Sequence, residues 1–263
     1  MRIVSIMWNA YVGILKKAAD KIDFIDLEVF SSKYLEKEKE RIETGIPGLD
    51  KLIEGGFIKG STILLCGNTG TGKTIFSCQF LWHGLQNGEN GVYITLEEDK
   101  ESIIKCAQDF GWDFKKYIAE KKLIVESLFP SSMEEIKDVI RDLVRRIDAK
   151  RFVLDSLSVA TMGWKESESL PIIRRAIFDL AKTLRDLKVT SILISEIPEG
   201  ENKLSRLGVE EFVVDGIIRL HYLEYAVGGI PRSLIIRKMR RTKHGTDIYP
   251  FEITSKGIVV KKG

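Results

Sequence analysis

The chain has 263 residues, 44% of them hydrophobic and 30% charged, which is enough apolar material for one large core with or without an appendage. Its 41 Lys and Arg against 38 Asp and Glu leave a formal charge of +3, so the overall balance by itself points to neither nucleic acid nor a membrane surface. Three cysteines, Cys66, Cys78 and Cys106, lack metal-ligand spacing, and their odd number suits a reducing compartment.

The first segment, residues 1–42, places Ile3, Ile6, Met7, Ala10, Ile14 and Ala18 near helical spacing and closes on a charged run from Lys33 to Arg41. Its apolar start is the size of a signal peptide, but a small-residue cleavage site is unconvincing and acidic, charged sequence follows. No apolar run reaches the roughly 18 residues of a membrane span. A soluble cytoplasmic protein is expected, with residues 1–42 as a helical arm and 43–263 as the main domain.

From there, strand and helix patterns alternate as in βαβ units, which predicts an α/β fold with a mainly parallel sheet flanked by helices. The strands fall at 62–66, 91–96, 122–126, 151–154 and 190–194. Helical spacing covers 133–147, where Ile136, Val139, Ile140, Leu143, Val144 and Ile147 share a face behind Ser131…Glu134 and Ser132…Glu135 capping signatures. It covers 170–187 through Ile173, Ile177, Leu180, Ala181 and Leu184. The tail changes character, with short strands predicted at 213–220, 233–239, 250–254 and 257–260 and turns at Gly228-Gly229 and Ser255-Lys256-Gly257. It reads as an antiparallel extension of the sheet.

Gly67, Asn68, Thr69, Gly70, Thr71, Gly72, Lys73 and Thr74 form G-x-x-x-x-G-K-[ST] between the strand TILLC and the apolar helix IFSCQFLWHGL. In that context the glycines let backbone N–H groups curl around phosphate oxygens, assisted by the helix N-terminus. Lys73 can reach β- and γ-phosphates, and Thr74 can hold Mg²⁺. A second acid is expected at the end of a neighbouring strand. Asp155 follows Phe152, Val153 and Leu154 and would hold Mg²⁺ directly or through water. The strand 91–96 ends in Glu97, Glu98 and Asp99. In a parallel sheet that end lies on the ligand-binding edge, where Glu97 or Glu98 can orient the water that attacks the γ-phosphate or take its proton. The adjacent carboxylate could raise its neighbour's proton affinity.

The sequence resembles the RecA-type ATPases, and within them the KaiC-like proteins, from about residue 41 onward. The resemblance rests on RIETGIPGLDKLIEGGFIKGSTILLCGNTGTGKT, ITLEED followed by FGWDF (110–114), LDS (154–156), GVEEFVVDGIIRL (208–220) and RKMRRTKHGTDIYPFEIT (237–254). It implies ATP as ligand with Mg²⁺, hydrolysis with Glu97 and Glu98 carrying the base, and a homo-oligomeric ring, typically hexameric. The neighbouring subunit would supply Lys238, Arg240 and His244 to the nucleotide. Lys238 and Arg240 are two apart, so on a strand they share a face, and cations delivered across an interface can neutralise charge on a γ-phosphoryl group. The same basic segment also fits a solvated edge strand or a nucleic-acid patch.

There are departures from the family pattern. The clock protein of the family has two such domains and a phosphorylated tail, whereas this chain has one and ends nine residues after Thr254. Clock function and self-kinase activity are therefore not implied. Arg241 stands where glycine is usual, and Ser195-Glu196 occupies the place of the recombinase amide sensor.

Two functional readings lead. One is a slow, oligomeric ATPase whose hydrolysis drives conformational switching or recruits an unidentified protein partner. The other is a DNA-dependent ATPase related to the RadA and RecA recombinases. The loops that would meet DNA, 162–169 and 197–206, are not basic, and Trp164 is their one aromatic residue. This disfavours DNA without excluding it. A non-hydrolysing, nucleotide-gated scaffold ranks last, because every part needed for hydrolysis is present. His83 and His221 read as structural, and the cysteines as core filler.

Overall fold

A computed structural model describes residues 40–129, 132–161, 170–197, 208–222 and 232–261. The predicted helical arm, the two loops with Trp164, Ser131 and the Gly228-Gly229 turn lie outside these residues, apart from Glu40, Arg41 and Ile42 of the arm and Ile197 of the second loop. Strand β1 (Arg41–Ile42) pairs antiparallel with β2 (Phe57–Ile58) around a 3-10 turn at Asp50–Ile53. The Arg41 guanidinium ties this entry together, donating to the carbonyls of Ile53 and Gly56 at 3.1 and 2.9 Å and to Thr242 Oγ1 at 3.2 Å.

Nine strands make the main sheet. In chain order they are β3 (Thr62–Gly67), β4 (Gly91–Thr95), β5 (Leu123–Ser127), β6 (Arg151–Asp155), β7 (Thr190–Glu196), β8 (Gly216–Tyr222), β9 (Arg232–Met239), β10 (Ile248–Thr254) and β11 (Gly257–Val260). Their spatial order is β11-β10-β9-β8-β3-β7-β6-β4-β5. From β8 to β5 all pairings are parallel, and from β8 to β11 they are antiparallel. The expected mixed sheet with an antiparallel tail is therefore present.

Seven helices are described: α1 (Lys73–Gln86), α2 (Lys100–Asp109), α3 (Phe114–Ala119), α4 (Met133–Arg146), α5 (Leu157–Ala160), α6 (Leu170–Asp186) and α7 (Glu210–Val213). The strands bury both faces, which is why they read as continuous apolar runs rather than alternating ones. On β4, Tyr93 faces a core built from Phe76 and Phe80 of α1 and Ile103 of α2. Val92 and Ile94 face the other core, with Ile136 and Ile140 of α4 and Ile173 and Ile177 of α6. The capping signature before α4 is realised at Ser132, whose hydroxyl accepts from Glu135 N at 3.2 Å.

Two local features differ from the sequence reading. The strand predicted from 213 starts at Gly216, because Glu210–Val213 closes a helical turn and Val214 is extended. The FGWD stretch forms the break between two helices. Gly111 adopts φ 76, Asp113 caps α3 by accepting from Lys116 N at 3.0 Å, and the Phe110 and Trp112 rings stack at 4.8 Å.

Candidate active site

The eight residues 67–74 leave β3 and enter α1 at the carboxyl edge of the parallel strands. Gly72 takes φ 99 as N-cap of α1, and Gly70 takes φ 76, values in the left-handed region that favours glycine. A side chain at Gly67 would bring a Cβ within 2.5 Å of the Leu220 carbonyl oxygen, so only glycine fits there. The Lys73 ammonium is folded back on this loop. It donates to the carbonyls of Gly67 at 3.1 Å and Asn68 at 3.0 Å, and Glu196 Oε1 lies 3.6 Å away.

Asp155 ends β6, directly opposite Thr95 in the β4–β6 register. Thr74 Oγ1 donates to Asp155 Oδ2 at 3.3 Å, so the P-loop hydroxyl and the strand-end acid meet although β7 lies between their strands. Tyr93 donates to the same oxygen at 2.5 Å. Asp155 is buried, and its pKa is raised from 3.8 to about 6. Burial is the main cause and the Glu97 carboxylate adds to it, while the hydroxyls of Tyr93 and Thr74 and the charge of Lys73 oppose it. The site thus holds a carboxylate at a cost that a divalent cation would relieve.

The two glutamates differ. Ser156, joined to Asp155 by a cis peptide bond, donates its hydroxyl to Glu97 Oε1, which brings Glu97 against the Asp155 strand end. Glu98 is held through its backbone. Its N–H donates to Thr95 Oγ1 at 2.9 Å, and its carbonyl accepts from Thr95 and Ser127 hydroxyls at 3.0 and 3.2 Å. The Glu97 N–H also donates to Thr95 Oγ1, at 3.3 Å, and both glutamates are exposed.

Lys238, Arg240 and His244 lie elsewhere. Lys238 pairs with Ile217, and Met239 with Gly216, at the start of β8. Gly67 pairs with Leu220 at the other end of that strand. Through Ile217, Lys238 is level with Leu64, three residues before Gly67, and through Asp215, Arg240 is level with Thr62, five before it. At ~3.3 Å a step this is roughly 10 and 16 Å along the sheet, with β8 between. Both side chains are engaged away from the P-loop of their own chain. Lys238 Nζ donates to the carbonyls of Glu211 at 2.9 Å and Val214 at 2.7 Å. Its pKa is lowered by burial and then by Arg240. Arg240 reaches Asp215 Oδ1 at 3.3 Å and the Phe212 carbonyl at 3.2 Å, and stays largely exposed. Both side chains turn to the same side, as their spacing implies. His244 Nδ1 sits 2.9 Å from the Gly245 carbonyl. The neighbouring Arg241 adopts φ 54, the conformation for which glycine is better suited.

Arg240 also borders a groove of 410 Å³ with Arg174, Arg175, Arg185, Phe178 and Phe212 along its wall. Phe178 and Phe212 are exposed, and the Arg174 guanidinium lies 5.2 Å from the Phe212 ring centre. Away from the site, His83 Nε2 is 3.0 Å from Glu43 Oε2, and His221 lies on β8.

Sequence reasoning did not single out Tyr93. Its signal was a single hydroxyl-bearing aromatic in the otherwise aliphatic core of β4. Nor did it find the Lys73–Glu196 ion pair, or Ser158, whose hydroxyl accepts from Glu196 N at 2.8 Å. Among the described residues, no cluster of three or more His, Cys, Asp or Glu forms an all-protein metal site. The Thr74 and Asp155 pair fits Mg²⁺, which keeps water and phosphate oxygens as its remaining ligands.

A P-loop on β3, its partner acid on β6 and an intervening β7 in a largely parallel sheet define a P-loop ATPase fold of the RecA type. The sequence model of the family "ATPase: KaiC" matches residues 42–263, and the chain belongs to that family of ATPases. It is 40% identical over 238 residues to a UPF0273 protein of Methanopyrus kandleri, covering 84% of this chain and 92% of that protein. To the circadian clock oscillator protein KaiC of Prochlorococcus marinus it is 33% identical over 240 residues, covering 87% of this chain but 46% of the clock protein. The crystal structure of a KaiC-like protein from Pyrococcus horikoshii superimposes with a TM-score of 0.75 at 42% identity, over 85% of this chain and 99% of that one. No helix among the described residues is long and apolar enough to cross a membrane.

Proposed function

We propose that this chain binds Mg²⁺·ATP and hydrolyses it slowly as a homo-oligomeric, typically hexameric, ring, with turnover coupled to a conformational switch or to recruitment of a protein partner. The carrying observation is the contact of Thr74 and Asp155 with Glu97 drawn alongside through Ser156. Backbone N–H groups of residues 67–74 hold the phosphates, and Lys73 leaves the Gly67 and Asn68 carbonyls for their oxygens. Thr74 and Asp155 would hold Mg²⁺, which would supply neutralisation of phosphate charge. Glu97 orients the attacking water and takes its proton, with Glu98 in reserve. Lys238, Arg240 and His244 act on the nucleotide of a neighbouring subunit, a role that fits their distance from their own P-loop.

The test is steady-state ATP hydrolysis with Lys73→Ala and Glu97→Gln as controls. Turnover that both variants abolish supports the reading, and turnover that survives Lys73→Ala overturns it.

The arginine- and phenylalanine-lined groove favours a second reading, a DNA-dependent ATPase of recombinase type that holds single-stranded DNA. Cations that track phosphates beside exposed aromatic rings are what such strands require. Stimulation of turnover by single-stranded DNA, weakening with salt and lost in Arg174→Glu/Arg175→Glu, would favour it over the switch.

A further inference from the structure

The outer face of α6 differs from that of an ordinary solvated helix. Ile173, Ile177, Leu180, Ala181 and Leu184 face the core, so Arg174, Arg175, Phe178 and Arg185 fall outward at helical spacing. Such a face is normally polar, yet Phe178 stands there 49% exposed. Helix α7 packs on α6 and adds Phe212, which is 57% exposed. Both rings belong to the 410 Å³ groove that reaches Arg240. Four arginines and, among the described residues, no carboxylate line it. Asp215 stands beside one end, with Oδ1 3.3 Å from Arg240 and Oδ2 4.0 Å from Arg185, and offsets the charge there. Among the described residues, Arg174 and Arg175 pair with no acid. The Arg174 guanidinium instead lies 5.2 Å from the Phe212 ring centre. A guanidinium held on a ring still presents the N–H fork along its edge.

We propose that this groove docks a protein segment in which carboxylates flank an apolar anchor side chain. Arg174, held against Phe212, takes one carboxylate through its fork, and Arg175 takes a second. The anchor lies against Phe178 and removes exposed ring surface from water. A basic segment is rejected by the same four cations. Aromatic and arginine side chains are the types enriched where proteins meet. Two features favour protein over single-stranded DNA. One face of the Phe212 ring is already covered by Arg174, so it is not free to stack on a base. The arginines also surround one bounded groove, and a phosphate backbone leaving it past Arg185 and Arg240 would meet Asp215. The inference deepens the partner-recruitment reading above and rests on it, adding the docking surface and the chemistry of the partner.

The experiment titrates the purified full chain into a fluorescein-labelled peptide that alternates aspartate with phenylalanine and leucine, at physiological salt, and follows fluorescence polarisation. The expected result is saturation at one peptide per chain, with no binding of the counterpart that carries lysine in place of each aspartate. Arg174→Glu/Arg175→Glu and, separately, Phe178→Ser should each weaken binding by about tenfold or more. All three side chains are exposed, and thermal melts check that each variant keeps the fold. A peptide with a benzophenone in place of one phenyl ring should crosslink to α6 or α7 on irradiation, as mapped by mass. Lys73→Ala protein should bind the peptide as the parent does, so failure of the ATPase reading and failure of this one are separate results. Absence of saturable binding of the acidic peptide would overturn the proposal, as would binding that both groove variants leave unchanged. Oligothymidylate that binds more tightly than the peptide, and is lost in Arg174→Glu/Arg175→Glu, would assign the groove to single-stranded DNA instead. Self-association lost in that variant, with the peptide unbound by the parent, would assign it to a second copy of the chain.

Discussion

Tyr93 donates its phenolic hydroxyl to Asp155 Oδ2 at 2.5 Å, the same oxygen that accepts from Thr74 at 3.3 Å. The two residues are on adjacent strands β4 and β6. Desolvation of the carboxylate is the largest influence on Asp155, and this bond is the strongest one opposing it. Tyr93 therefore acts as a positioning residue for Asp155, the acid proposed to hold Mg²⁺, fixing the orientation of its carboxyl group while keeping it ionisable.

Tyr93→Phe removes that donor and leaves the buried carboxylate poorer in partners. A hydrogen bond to a charged group contributes about 1.5–3 kcal/mol, so a loss of stability in that range is expected. The Asp155 pKa should rise further, so the acid limb of the rate-against-pH profile moves to higher pH and more Mg²⁺ is needed for half-maximal turnover. Thermal melts and Mg²⁺ titrations of the rate test both; an unmoved pH profile would reduce Tyr93 to packing.

Asp155 also sets a pH dependence of stability in the metal-free protein. Its folded pKa is raised from 3.8 to about 6. A raised acid favours the fold fully below its unfolded value, and the favour is lost as pH rises through the folded value. Two units correspond to on the order of 3 kcal/mol, lost between about pH 4 and pH 6. Asp155→Asn removes this dependence. The variant should gain stability relative to the parent on going from pH 4 to pH 8 in chelator, while Mg²⁺-dependent turnover disappears. Urea melts at the two pH values measure the difference.

The two acids after β4 should separate on substitution. Both residues are exposed, but the Glu97 carboxylate touches Ser156 at the end of the Asp155 strand, whereas the hydrogen bonds of Glu98 run through its backbone. Glu97→Gln should lower kcat by about 100-fold or more, the usual scale for a lost general base. Glu98→Gln should stay within about tenfold. Single-turnover rates at saturating Mg²⁺·ATP decide the point, and the reverse ranking would exchange the two roles.

Lys238 and Arg240 are expected to fail in different ways. Lys238 caps two carbonyls at the end of α7, so Lys238→Ala should cost about 1–3 kcal/mol of stability. Arg240 is largely exposed, and Arg240→Ala should leave stability within about 0.5 kcal/mol while slowing turnover. Mixing Arg240→Ala subunits with Lys73→Ala subunits should restore part of the rate, because some interfaces regain an intact P-loop facing an intact arginine. Failure to complement would count against action across the interface.

A purely structural prediction comes from Arg151, which is buried on β6. Its Nε donates to Glu89 Oε2 at 2.5 Å and its Nη1 to the Phe80 carbonyl at 2.7 Å. Glu89→Ala would leave an uncompensated buried cation, at a cost of about 3 kcal/mol. Glu89 is 25% exposed, which sets the expectation at the low end of the usual range. Equilibrium unfolding in urea gives the value.

The sequence by itself determined what is written locally. Apolar runs of strand length, helical spacing at 133–147 and 170–187, and turn residues placed most elements within a few residues of their observed ends. The P-loop, Asp155 and the Glu97-Glu98 pair were legible for the same reason. Each sits where a strand meets a turn, and in a parallel sheet all such ends fall on one edge. Only the tertiary structure decided which of these groups touch. Tyr93 and Asp155 are 62 positions apart, and Thr74 and Asp155 are 81 apart. No local pattern encodes such pairs, since they follow from the strand order, in which β7 separates β3 from β6 while α1 carries Thr74 back to Asp155. The tertiary structure likewise turned Lys238 and Arg240 toward the carbonyls of Glu211, Phe212 and Val214 rather than toward their own P-loop. Side-chain periodicity assigns a residue to a face of its own element. Long-range strand pairing and burial then decide which other element that face meets.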